Sequence, residues 1–103
     1  MALAQSQLTN SATSIYTSSG NSAVTTMYVC NPTASAETFW IYLTATSGTA
    51  AADSNTVYSN VQVAAGDTYV IDTERLVLGN GETVKAKAGN STVLTMTISY
   101  VGV

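Results

Sequence analysis

The chain has 103 residues, a net charge of −3 and a pI near 4.3, with charged side chains at only 9% of positions. That length sets one domain. Its only basic residues are Arg75, Lys85 and Lys87; three are too few for counterion release at phosphates or for attraction to an anionic bilayer, so neither direct nucleic-acid binding nor membrane binding is expected.

The opening stretch MALAQSQLTN has no cationic segment and no apolar run of leader length, so synthesis in a cytoplasm is the expectation. Residues 1–12 are polar and Ser/Thr-rich. They read as an N-terminal arm, or as an edge segment that a neighbour orders. Residues 13–103 read as a single all-β domain, because β-branched residues recur between short turn signals. Strands are expected at 13–17, 24–30, 38–45, 57–63, 68–72, 75–78, 83–88 and 92–101. This spacing fits an antiparallel β-sandwich of about seven or eight strands, immunoglobulin-like or jelly-roll-like.

Local chemistry sets the boundaries. Pro32 ends the strand at 24–30 and holds Asn31 extended. In ETFWIYLTAT, residues 37–46, alternation puts Phe39, Ile41, Leu43 and Ala45 on one face and Trp40, Tyr42 and Thr44 on the other. Three readings stand for the Trp40 face: cover by another part of the same chain, burial against a subunit or partner, or an open platform on which a sugar stacks. The longest loop, TSGTAAADSN at 46–55, offers one helical turn in TAAAD. Gly66-Asp67 marks a turn, and Asn80-Gly81 predicts a tight hairpin pairing 75–78 with 83–88. Within 83–88, Val84, Ala86 and Ala88 face inward while Lys85 and Lys87 face outward. In the last strand Leu94, Met96, Ile98 and Tyr100 share one face, with Val93, Thr95, Thr97 and Ser99 on the other.

No catalytic constellation emerges, and the chain is expected not to be an enzyme. It has no histidine, which removes the commonest general base. Of the six carboxylates, Asp67, Asp72, Glu74 and Glu82 are the candidates for acid–base work, with Asp72 and Glu74 read as a solvated rim beside Arg75. Asp53 and Asn55 have the spacing of a calcium loop without its glycine and distal glutamate, so no metal and no cofactor is expected. NST at 90–92 reads as a turn. Cys30 is alone, so no disulfide forms; it reads as a small buried hydrophobe.

Two runs carry a resemblance: SQLTNSATSIYTSSGNSAVTTMYVCNPTASAETFWIYLTA and VYSNVQVAAGDTYVIDTERLVLGNGETVKAKAGNSTVLTMTISYVGV. Together they cover nearly the whole chain and resemble small virion proteins of tailed phages, notably those of cyanobacterial and marine hosts. The shared features are turns and core strands rather than a catalytic signature. The resemblance implies a β-sandwich used as a structural part of the particle, on head or tail alike. Together with the low charge and the aromatic strand face, it favours a capsid decoration, or cement, protein that docks on and stabilises the head shell. Its implied partners are the major capsid protein and further copies of itself, since proteins of this class are often trimers at local three-fold axes. Interface anchors are expected at Trp40 and Tyr42, with Tyr58, and at Leu3 and Leu8 in the arm. The alternative is a tail- or fibre-associated module that reads host-surface glycans with Trp40, Tyr58 and Asn55.

Overall fold

Period-two alternation forms strands along almost the whole chain. The structure, a computed structural model, describes residues 2–72, 76–90 and 94–102. Nine strands result: β1 (Ala2–Gln7), β2 (Thr13–Thr17), β3 (Ser22–Cys30), β4 (Glu37–Thr44), β5 (Thr56–Val63), β6 (Thr68–Ile71), β7 (Leu76–Leu78), β8 (Thr83–Ala88) and β9 (Thr95–Gly102). The expected strands at 13–17 and 83–88 fall at those bounds. The first residue of the expected 75–78 strand and the opening of the 92–101 strand, with Val93, lie outside the described residues. So do Glu74 and Arg75, and Ser91 and Thr92 of the NST triplet.

The strands make two sheets. Sheet I has the order β1-β9-β3-β6, with β7 also beside β3; sheet II has the order β2-β8-β4-β5. β6 pairs with Met27–Cys30 and β7 with Ser22–Val24, so together they form one interrupted edge along β3. Every pairing is antiparallel, and β1 meets β9, β2 meets β8, β3 meets β6 and β7, and β4 meets β5. This nested pairing across two facing sheets is a jelly roll, which decides between the two sandwich topologies open from sequence.

The inward faces close one core. Val24, Met27 and Val29 of β3 and Met96 and Ile98 of β9 face Phe39 and Ile41 of β4 and Val84 and Ala86 of β8. Tyr16 and Tyr100 stack at 4.1 Å between centroids and bridge the two sheets at one end. The Tyr16 hydroxyl also hydrogen-bonds Ser22 at 2.6 Å.

Two expectations change. Of the two readings for the N-terminus, residues 2–7 take the edge segment rather than the arm: they form β1 at the edge of sheet I, ordered by β9 of the same chain from Ala2↔Tyr100 to Gln7↔Thr95 rather than by a neighbour. The Asn80-Gly81 turn does not close a hairpin, because β7 lies in sheet I and β8 in sheet II. A turn reverses the chain without choosing its partner. Here the turn carries the chain between sheets and locks onto the β2–β3 connection instead: Gly20 N–H donates to Asn80 Oδ1 (2.9 Å), Gly81 N–H to Ser18 O (2.8 Å) and Ser18 N–H to Glu82 O (2.9 Å). Gly81 takes the positive φ of 86° that this turn needs.

Asn31 does the same at the opposite end. Fully buried, its Nδ2 donates to Ser35 O (2.8 Å), Val63 O (3.1 Å) and Ala64 O (3.3 Å), while Oδ1 accepts from Thr33 N–H (3.1 Å) and its hydroxyl (2.6 Å). One carboxamide thus ties the loop after β3 to the end of β5. Asn31→Ala orphans these buried groups and is expected to cost about 3 kcal/mol, a fall of roughly 15 °C in thermal midpoint. A denaturation curve superimposing on that of the parent would refute the assignment.

Candidate interaction surface

A sandwich buries its inward faces and leaves two outward ones, and here the two differ in kind. On sheet II the outward residues include Trp40 and Tyr42 of β4 and Lys85 and Lys87 of β8, which are direct cross-strand pairs: Trp40↔Lys87 and Tyr42↔Lys85. The Lys87 ammonium lies 4.7 Å from the Trp40 ring centroid, a cation–π contact. Lys85 Nζ donates to Thr49 O at 2.7 Å and so draws the loop between β4 and β5 back over this face. Tyr42 is left only 6% exposed although it points away from the core. The loop's helical turn is a single 3-10 turn at Asp53–Asn55, a little beyond the expected TAAAD.

Sheet I has an open outward face. Its cross-strand rows follow from the register. Val101, Ala23 and Val77 form one row, and Leu3 lies opposite Ser99 in the next. Gln5, Thr97, Tyr28 and Val70 form a third, and Thr95, Cys30 and Thr68 belong to a fourth. None of these residues is charged. Val77 is 70% exposed, Leu3 63%, Val70 47% and Tyr28 40%, with Val101 beside them also exposed. A neutral face with several exposed large hydrophobes on one side of the chain makes it the candidate interaction surface.

The expected anchors scatter. Leu3 lies on this open face. Trp40 is half-buried and Tyr42 buried on the opposite side of the sandwich. Tyr58 is corrected: it pairs with inward-facing Ile41, packs against the core and lies 6.5 Å from the Phe39 ring, so it does not join Trp40 on a shared platform. Leu8 is also corrected: it is wholly buried in the core, where its N–H donates to Leu94 O, and cannot meet a partner. Asn55 is committed within its loop, accepting from Ala52 N–H and donating to Ala50 O. Cys30 is half-buried and faces outward on sheet I rather than into the core. Sequence reasoning did not single out Tyr28, Val70, Val77 and Val101. Among the described residues there is no group of three His, Cys, Asp or Glu side chains able to hold a metal.

Comparison with known protein families, curated proteins and solved structures finds no match to this chain.

The tie from Lys85 to Thr49 has a measurable consequence. Lys85→Ala is expected to lower stability by about 1 kcal/mol and to speed proteinase K cleavage within residues 45–55 several-fold. Cleavage at the parental rate, mapped by mass spectrometry, would show that the loop is held by something else.

Proposed function

We propose that the chain is a non-catalytic structural protein of a phage particle that docks on the assembled head shell as a decoration protein, made in the host cytoplasm and residing in the virion. The observation that carries this reading is the outward face of sheet I, uncharged among the described residues. Leu3, Tyr28, Val70, Val77 and Val101 gain by leaving water, and no ionic group must be desolvated with them. Four strands at about 4.8 Å spacing and about eight residues in length make a face of roughly 500 Å², so docking would bury roughly 1,000 Å² in total, the lower bound of a specific interface. Such a contact is weak for one copy and suits a repeated lattice. The resemblance to small virion proteins of tailed phages supports the same reading, and the jelly roll is an architecture that capsid domains use.

The mechanism needs no chemistry. A protein that binds only the expanded shell stabilises that state by RT ln(1 + [L]/Kd), so many weakly held copies together resist its disassembly. Closed symmetry among copies would add contacts without opening a filament.

Quantitative mass spectrometry of purified particles tests this reading. A copy number comparable with that of the major shell protein is expected, and absence from the particle overturns the proposal. Docking can be followed by co-sedimentation with shells stripped of the chain. Val77→Lys and Val101→Lys, both exposed, should leave the thermal midpoint within about 2 °C of the parent while abolishing co-sedimentation. Alkylation of Cys30, the chain's single cysteine, should slow in the docked state.

A further inference from the structure

The opposite side of the sandwich carries a hollow of about 490 Å³, open to solvent and lined by Trp40, Tyr42, Asp53, Thr56, Ser59 and Lys87. Its geometry is built by two irregularities in β5. Phe39 pairs with Val61 and Ile41 with Tyr58, so Ser59 and Asn60 together oppose Trp40. This is a bulge, and Asn60 takes a left-handed φ of 53° to make it. A second shift puts Thr56 opposite Tyr42. The wall carrying Asp53 is held by the Asn55 carboxamide, which accepts from Ala52 N–H at 2.9 Å and donates to Ala50 O at 3.0 Å, and by Thr56 Oγ1 donating to Ala52 O at 2.8 Å.

We propose that this hollow is a binding site for a neutral saccharide. Its volume lies within the range of small-molecule sites. The lining combines one indole floor with hydroxyls, one carboxylate and one ammonium. Purely apolar ligands find only the aromatic floor, and an anion meets the Asp53 carboxylate as well as the Lys87 ammonium. A pyranose matches the set: one C–H face packs on an aromatic ring, and its hydroxyls donate to Asp53 and accept from Lys87. Binding moves the Lys87 ammonium off the indole face, where an exposed cation–π contact is weak, onto the sugar's hydroxyls. This inference does not rest on the docking reading. The two surfaces lie on opposite faces, so occupation of one leaves the other free.

Trp40 is the chain's only tryptophan, so its emission reports the site directly. The purified chain would be titrated with maltose, cellobiose and lactose, and with digalacturonic acid as the charged counterpart. A saturable emission change with at least one neutral disaccharide, at millimolar Kd, is expected. Asp53→Asn and Ser59→Ala, both exposed, should each weaken it by about tenfold with the thermal midpoint unchanged. Silence across the neutral sugars, a response to the acidic sugar alone, or unchanged affinity in both variants would overturn the proposal. None of these outcomes bears on whether the chain co-sediments with shells.

Discussion

The hydrogen bond from the Lys85 ammonium to the Thr49 carbonyl decides which side of this molecule stays open. Jelly-roll strands present two outward faces, and a chain with so few charges cannot make both of them strongly hydrophilic. Here two of its three cations sit on the outward side of β8, where they meet Trp40 and Tyr42 directly. One caps an aromatic ring and the other draws a long loop over its neighbour. The face of sheet II is thereby partly covered with the chain's own material, leaving the hollow over Trp40 between β8 and β5. Among the described residues the outward positions of sheet I carry no charged side chain, so its exposed valines, leucine and tyrosine remain available.

The ends of the sandwich are governed by polar accounting rather than packing. Of all consecutive strands, only β4 and β5 pair with each other; most other connections cross between sheets. Each crossing carries backbone groups past the core's edge, where they need partners. Asn31 supplies them at one end, and the mutual grip of the 18–20 and 79–82 turns supplies them at the other. Most of these side chains are short and neutral; the exception is Glu82, whose carboxylate accepts from Gly79 N–H within its own turn. Low charge and abundant Ser, Thr and Asn are therefore part of how the crossings are satisfied. The resulting pairings are mostly distant in sequence, which places the fold among slow-folding topologies.

This division explains what could be read from the chain. Strand positions were legible almost throughout, because alternation and turn residues are local signals. Partners were not: Asn80-Gly81 is a sound turn signal, yet the pairing it suggested fails since sheet membership is settled by which apolar faces close the core. Leu8 and Tyr58 illustrate the same limit. A leucine in a polar stretch and a tyrosine in a mixed strand carry no mark of facing inward until the opposite sheet is in place. The open face did leave a trace. The outward positions of the last strand are Thr95, Thr97 and Ser99, without a charge, while those of 83–88 carry two lysines. That contrast was a better guide to the exposed surface than the aromatic residues, because a large side chain such as Trp40 attracts cover from its own chain.

The asymmetry also fixes an orientation. Association through sheet I would leave the outer side of sheet II, with Trp40, Asp53 and Lys87, pointing away from whatever lies beneath. Two of the four sheet edges offer poor alternative routes to a partner, while β1, in unbroken register with β9, keeps a straight outer edge. β5 is bulged twice opposite β4 and kinked at Asn60, and the β6–β7 edge is interrupted, both of which disfavour edge-to-edge pairing. Face-on contact through sheet I offers a broad surface of exposed hydrophobes and neutral polar side chains. Such a face gains from burial against many partners and discriminates weakly among them, because specificity comes largely from mismatched charge and unpaired polar groups. A lattice that presents the same site many times needs little more. Its geometry supplies the selection that a neutral surface lacks, and the sandwich need only be rigid, small and open on one side.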